Sequence, residues 1–161
     1  LSYGINVDIN KINMSSILLE LSQHASLPSS GSHGSAGLDL AASEACSLNP
    51  GERRAVSTGV KMALPLGTYG KIEGRSGLAV RNGIIIGGGV IDSDYTGEIK
   101  VILINTGNQP FVINKGDRIA QLIIQQYMLN PQFEKVDSLP NTERGENGFG
   151  STGIKQYLKT V

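Results

Sequence analysis

The chain has no tryptophan, one cysteine and two histidines among its 161 residues. With Cys46 alone, an intramolecular disulfide is excluded and a reducing compartment is suitable. Cys46, His24 and His33 together do not supply a structural zinc site. Charge of one sign is missing too: Lys plus Arg number 14, Asp plus Glu number 14, and the formal net charge is zero. With no basic field and no single-sign block, a polynucleotide partner is disfavoured, although a local cationic pocket for a small polyanion is not. No apolar run approaches membrane-spanning length, and the opening residues lack the basic-then-apolar pattern of a signal peptide. No membrane partner is expected, and a soluble intracellular protein of cytoplasm and/or nucleus is. No Gly-Lys-Ser or Gly-Lys-Thr closes a P-loop, and no Gly-x-Ser-x-Gly elbow is present. Chemistry must come from carboxylates, arginines and glycine-rich backbone, with or without a metal.

Glycine, in contrast, is abundant at 21 residues. The apolar residues fall in short β-rich runs, read as strands near residues 17–21, 38–41, 54–57, 60–63, 69–72, 99–104, 111–113 and 119–127. Between them stand turn sequences such as Pro50-Gly51, Thr106-Gly107-Asn108 and Lys115-Gly116-Asp117. Glycine accepts positive φ there, and Asn or Asp satisfies its own backbone. Many short strands with frequent turns predict an all-β sandwich or barrel. The one short helix expected is at residues 76–81, with Ser76 as N-cap. Residues 1–15 are read as an N-terminal extension or leader, since the chain opens on Leu1 and Met14 is the first methionine. Residues 16–137 form the β core, and residues 138–161 a mobile arm. Within the arm, the polar, glycine-rich stretch from Asn141 to Gly153 has Phe149 as its only large apolar residue. A disordered tail and a lid over a ligand with a ring and phosphates both fit that composition.

Five clusters carry residues of the required kinds. In Ala36-Gly37-Leu38-Asp39-Leu40, a lone acid in an apolar run is usually a turn or edge residue, but Asp39 also suits a hydrated Mg²⁺. In Glu73-Gly74-Arg75-Ser76-Gly77, free backbone N–H groups and a guanidinium suit phosphate; a capped turn with a surface arginine fits equally well. The stretch from Gly87 to Glu98 reads as a glycine-rich hairpin that lets backbone approach a flat ligand, with Asp92 and Tyr95 near one pocket. Solvated acids on a plain hairpin are the alternative. In Gly116-Asp117-Arg118-Ile119-Ala120-Gln121-Leu122 a turn leads into a core strand, and Gln121 is the member with a possible ligand role. The fifth cluster runs from Arg144 to Gly153 in the arm.

In this order and spacing the five clusters resemble the motifs of the trimeric dUTPase family, over about residues 18–153. The sharpest matches are Arg75-Ser76-Gly77-Leu78-Ala79, Gly89-Val90-Ile91-Asp92-Ser93-Asp94-Tyr95, Gly116 to Leu122 and Gly148-Phe149-Gly150-Ser151-Thr152-Gly153. The resemblance implies a jelly-roll β domain with a flexible arm, a homotrimer with shared active sites, and dUTP as substrate. It implies Mg²⁺-assisted attack of a water, activated by Asp92, on the α-phosphorus, giving dUMP and pyrophosphate. Tyr95 then packs under deoxyribose, and the backbone around Gly89, Val90, Ile91 and Lys100 reads uracil. Arg75, Ser76, Gly77 and Gln121 bind phosphate, and Asp39 orders water around Mg²⁺ held mainly by the phosphates. From the arm, Arg144 meets the terminal phosphate, Phe149 stacks on uracil, and Gly150, Ser151 and Thr152 add phosphate contacts.

Four positions depart from the family pattern. Gly74 replaces a common proline, Leu38 a common tyrosine and Thr96 a frequent arginine, and Glu146-Asn147 stands in a stretch that is usually richer in glycine. Two alternatives accompany this reading: a dCTP deaminase of related fold, for which Glu98 is the candidate glutamate, and a non-catalytic regulatory trimer.

Overall fold

The computed structural model describes residues 16–148. The chain divides into two units, Leu1–Leu129 and Asn130–Val161. The described part of the first unit is all β apart from one short helix. In chain order its elements are β1 (Leu18–Leu21), β2 (Ser29–Ser30), β3 (Leu38–Ala41), β4 (Cys46–Leu48), β5 (Arg53–Ala63), β6 (Thr68–Glu73), α1 (Ser76–Asn82), β7 (Ile84–Gly87), β8 (Val90–Ile91), β9 (Glu98–Asn105), β10 (Phe111–Ile113) and β11 (Arg118–Gln126). Three open antiparallel sheets result, ordered β1-β5-β9-β7, β2-β3-β11-β6-β8 and β10-β4. None of them closes into a barrel, so of the two expected architectures the barrel is not formed.

Alternation builds the core. Along β9, Ile99, Val101 and Leu103 are fully buried while Lys100 and Ile102 between them are exposed. This is the period of two by which one face of a strand is buried. They join Leu40, Leu48, Val56, Val60, Ile84, Ile113, Ile119 and Leu122 in one apolar cluster. Burying each such side chain is worth about 1.5–3 kcal/mol.

Of the four buried polar residues among those described, Thr58, Thr68, Ser93 and Asn105, the first and last are fully buried and shape the strands around the core. Thr58 Oγ1 donates to the carbonyl of Ile99 at 2.5 Å and accepts from the N–H of Val60 at 3.2 Å. The pairing of β5 with β9 shifts register between Ser57 and Val60, and Gly59 there has φ +69°. The two expected strands at residues 54–57 and 60–63 are therefore one long strand with a bulge, whose Thr58 hydroxyl replaces lost ladder bonds. Asn105, fully buried at the end of β9, donates from Nδ2 to the carbonyls of Leu48 and Gln109, both at 2.9 Å. Its Oδ1 accepts from the N–H of Gly107 at 2.9 Å.

The Gly87–Gly89 segment is not a hairpin tip. β7 pairs with β9 in one sheet, whereas β8 pairs with β6 in the other. The triplet carries the chain across from sheet to sheet, with φ +69° at Gly88 and +113° at Gly89. The helix also differs from expectation. Arg75 is the N-cap residue and makes no side-chain cap bond, so Ser76 is the first helical residue. Gly83 in the left-handed conformation ends the helix.

In the second unit, residues 130–148 form turns and bends with no strand or helix. Its clearest local structure surrounds Arg144. The N–H of Gly145 donates to both the carbonyl and Oγ1 of Thr142, and Arg144 Nε donates to the carbonyl of Asn147 at 3.0 Å.

Candidate functional site

Residues far apart in sequence meet because of strand register. Gln121 of β11 stands opposite Asp39 of β3 on one side and Glu73 of β6 on the other. Glu73 ends its strand, and the chain turns through Gly74 and Arg75 into the helix. Three of the five clusters thus converge on one end of the five-stranded sheet. Gln121 Nε2 donates to the carbonyl of Gly74 at 3.1 Å, which fastens the turn ahead of the helix. A Cβ at Gly37 would lie 2.6 Å from Gln121 Oε1 and 3.0 Å from its Cβ, so the Gln121 side chain in this position lies directly over the glycine.

Here a cavity of about 300 Å³ is lined by Asp39, Arg75, Ser76, Gly77 and Gln121, together with Arg81 and Arg118. The Asp39 side chain is only 15% exposed, and each of its oxygens meets a guanidinium: Arg75 Nε at 3.3 Å and Arg118 Nη1 at 3.0 Å. Arg75 Nη1 also donates to the carbonyl of Arg118 at 3.1 Å. A half-buried carboxylate needs such partners, and the pair of arginines it holds faces a polar cavity suited to an anion. Arg118, given no role by the turn reading of its cluster, is part of this network. It stands three residues before Gln121, next to a register shift between Arg118 and Ala120 that the sequence does not announce. Just outside, Glu73 pairs with Lys71, and that hydrogen bond and charge hold the Lys71 ammonium above its ordinary value.

A second cavity, of about 420 Å³, is lined by Val90, Ile91, Asp92, Tyr95, Lys100 and Ile102, with Ala55 and Glu98. Strand alternation explains it, because Lys100 and Ile102 are the outward residues of β9 and Ala55 pairs with Ile102 across β5. Residues 92–95 form a turn closed by the Tyr95 N–H on the carbonyl of Asp92 at 3.1 Å. The Tyr95 hydroxyl donates to the carbonyl of Glu98 at 2.9 Å, and its ring lies so close to Gly97 that an added Cβ would sit 2.7 Å from Cζ. Asp92 is exposed, and its flanking cavity contains the Tyr69–Tyr127 edge-to-face pair, with centroids 6.1 Å apart. Glu98 is otherwise engaged: its Oε1 accepts from the N–H of Gly59 at 2.9 Å, and Oε2 lies 3.9 Å from Lys100 Nζ.

The two cavities share no lining residue. Gly89 borders the second through its neighbour Val90, and it is held in the crossover by its carbonyl, which accepts from the N–H of Ile72 at 2.8 Å. Arg144 belongs to the second unit, and Phe149, Gly150, Ser151 and Thr152 lie outside the described residues. Among the described residues no group of three or more His, Cys, Asp or Glu side chains could hold a metal ion, and no helix is long and apolar enough to cross a membrane.

Comparison with known proteins agrees over most of the chain. The family model described as dUTPase matches residues 23–153. The chain is 48% identical over 132 residues to the deoxyuridine 5'-triphosphate nucleotidohydrolase of Saccharomyces cerevisiae, covering 82% of this chain and 90% of the relative. It is 50% identical over 142 residues to the protein of that name from Paramecium bursaria Chlorella virus 1, covering 88% of this chain and all of the relative. Among solved structures, the dUTPase of Staphylococcus bacteriophage 80alpha with dUPNHPP superposes with a TM-score of 0.81 at 27% identity, covering 87% of this chain and 99% of that one. The chain belongs to the dUTPase family.

Proposed function

We propose that this protein hydrolyses dUTP to dUMP and pyrophosphate, which keeps uracil out of DNA and supplies dUMP for thymidylate synthesis. The observation that carries the reading is the pair of cavities. One presents an exposed carboxylate, Asp92, beside a tyrosine ring; the other gathers arginines around a single acid. These are the two chemistries that a nucleoside triphosphate hydrolase requires. In this reading Asp92 orients a water in line with the α-phosphorus and accepts its proton. Aspartate is a weak base at neutral pH, so positioning and charge stabilisation carry most of the rate. Tyr95 lies under the deoxyribose and excludes a ribose hydroxyl. Backbone from Gly89 to Ile91 and at Lys100 reads the uracil edge, where the cytosine amine would leave buried groups mispaired. Arg75, Ser76, Gly77 and Gln121 hold phosphate oxygens.

One carboxylate in the arginine-lined cavity fits a metal bound mainly by substrate oxygens better than a protein-built cage. Asp39 is the residue that would meet the water shell of Mg²⁺, since each carboxylate oxygen keeps a further lone pair beside the arginine it accepts. When bound, Mg²⁺ offsets charge on the triphosphate.

Because the two half-sites share no residue, we assign the complete site to a jelly-roll homotrimer in which neighbouring chains contribute different halves. Exposed Ile85, Ile102 and Val112 give one chain apolar surface to bury. Arg144, Phe149, Gly150, Ser151 and Thr152 then close over the nucleotide from the arm. For the dCTP deaminase alternative Glu98 is the needed base, and its contacts with Gly59 and Lys100 leave it poorly placed for that work.

The test is pyrophosphate release from dUTP with Mg²⁺, beside dTTP, dCTP and UTP, for wild type and Asp92→Asn, with the mass in solution from sedimentation equilibrium. Selective dUTP cleavage that collapses in the variant, on a trimer, is expected. A folded wild type that leaves dUTP intact sinks the proposal, and deamination of dCTP moves the protein to the rival activity.

A further inference from the structure

Arg81 has none of the roles assigned above, yet it lines the arginine-rich cavity. Its own position does not require that. It sits in the last turn of α1, where a basic side chain ordinarily turns to the free carbonyls. The N–H of Gly83 already bonds back to two of the helix carbonyls, those of Ala79 and Leu78. Arg81 instead folds towards the start of the helix. Gly77 is its i−4 neighbour, on the same helix face. The position a Cβ would take on Gly77 lies 2.7 Å from Arg81 Nη2, 3.2 Å from Cζ and 3.3 Å from Nη1. The guanidinium therefore rests on the bare Cα of Gly77, beside Ser76 and Arg75.

Charge pairing separates Arg81 from its neighbours. Arg75 and Arg118 share Asp39, while Arg81 forms no ion pair among the described residues. Three guanidinium groups against one carboxylate leave the cavity with a surplus of two positive charges. An exposed arginine on a helix is usually solvated and idle. This one lies over the wall of a cavity already rich in cations, where repulsion disfavours it unless an anion enters.

We propose that Arg81 is a further substrate-binding residue, which contacts the polyphosphate beside Arg75. The inference rests on the dUTP reading and deepens it, since a planar guanidinium can bridge two phosphate oxygens. Binding of inorganic triphosphate and of deoxyuridine is measured calorimetrically on wild type, Arg81→Gln and Arg81→Lys, with steady-state dUTP kinetics alongside. Loss of one charge-assisted contact predicts a triphosphate Kd raised about tenfold in Arg81→Gln, with part restored by lysine. The deoxyuridine Kd stays unchanged, and KM for dUTP rises while kcat holds within about twofold. A triphosphate Kd in Arg81→Gln equal to that of wild type overturns the inference, even where wild type cleaves dUTP. A wild type that binds triphosphate but does not cleave dUTP removes the hydrolase reading, and the binding constants still decide Arg81.

Discussion

Replacing Gly89 with alanine puts a methyl group where the crossover leaves no room. Gly89 has φ +113°, and its added Cβ would lie 2.8 Å from the carbonyl oxygen of Ile72. Forcing an L-residue into such a conformation costs about 1–3 kcal/mol. Relief of the clash requires the segment to move off β6, which loosens the hydrogen bond from the Ile72 N–H to the Gly89 carbonyl, worth about 0.5–1.5 kcal/mol. The sum is about 1.5–4.5 kcal/mol, and at roughly 2–4 °C per kcal/mol for a chain of this size Tm should fall by about 3–18 °C. Gly88→Ala is the internal control. Its φ is +69°, but its Cβ would meet only Ile102 Cδ1, at an ordinary 3.6 Å, so the smaller loss is expected there. Because Val90, Ile91 and Asp92 follow directly, Gly89→Ala should also reduce selectivity for dUTP over dCTP. Thermal melts followed by circular dichroism and competition kinetics with the two nucleotides check both halves. A Gly89→Ala protein with wild-type Tm and wild-type selectivity refutes the steric argument.

Other perturbations have equally definite outcomes. Asn105→Ala orphans the carbonyls of Leu48 and Gln109 and the N–H of Gly107, so denaturant melts should show a loss of about 2–4 kcal/mol with the m-value unchanged. Asp39→Asn frees Arg75 and Arg118 from their shared charge and removes the acid assigned to the Mg²⁺ water shell, so KM for dUTP and the Mg²⁺ concentration for half-activation should both rise in steady-state assays, and an unchanged Mg²⁺ curve contradicts the metal role. Burial lifts the Cys46 thiol above its ordinary value against the opposing pull of Arg54. Less thiolate is present at a given pH, so iodoacetamide should label Cys46 more slowly in the folded chain than in the unfolded one, with the gap narrowing as pH rises through the folded pKa.

Runs of β-branched and aliphatic residues announced most strands, because alternation and burial are written in the same residues. What stayed hidden depended on partners. A glycine triplet looks the same whether it turns a hairpin or crosses between sheets, and only pairing of β7 with β9 and of β8 with β6 separates the two. Thr58-Gly59 looks like a break between strands, yet a buried hydroxyl lets β5 run through it. The Ser76 hydroxyl suggested a cap one residue too late, since the turn fastened by Gln121 sets where the helix starts. Within the site, Asp39 was legible as an acid suited to a hydrated metal and Arg75, Ser76, Gly77 and Gln121 as phosphate-binding candidates, and these five line one cavity. Arg118 and Arg81 were not, because the first reads as a turn residue and the second as a surface helix residue until their cavity is seen.

Strand β11 acts as a ruler for the arginine-lined cavity. A slip of two residues along its neighbours would keep every apolar side chain on its present face, and the sheet would tolerate it far better than a slip of one. Yet it would carry Gln121 about 7 Å from Asp39 and from the turn at Gly74, at roughly 3.4 Å per residue. The irregularity between Arg118 and Ala120 acts as the stop that fixes the scale at zero, because a bulge pairs properly in one alignment only. Phosphate binding should therefore report a misaligned chain well before any melting curve does.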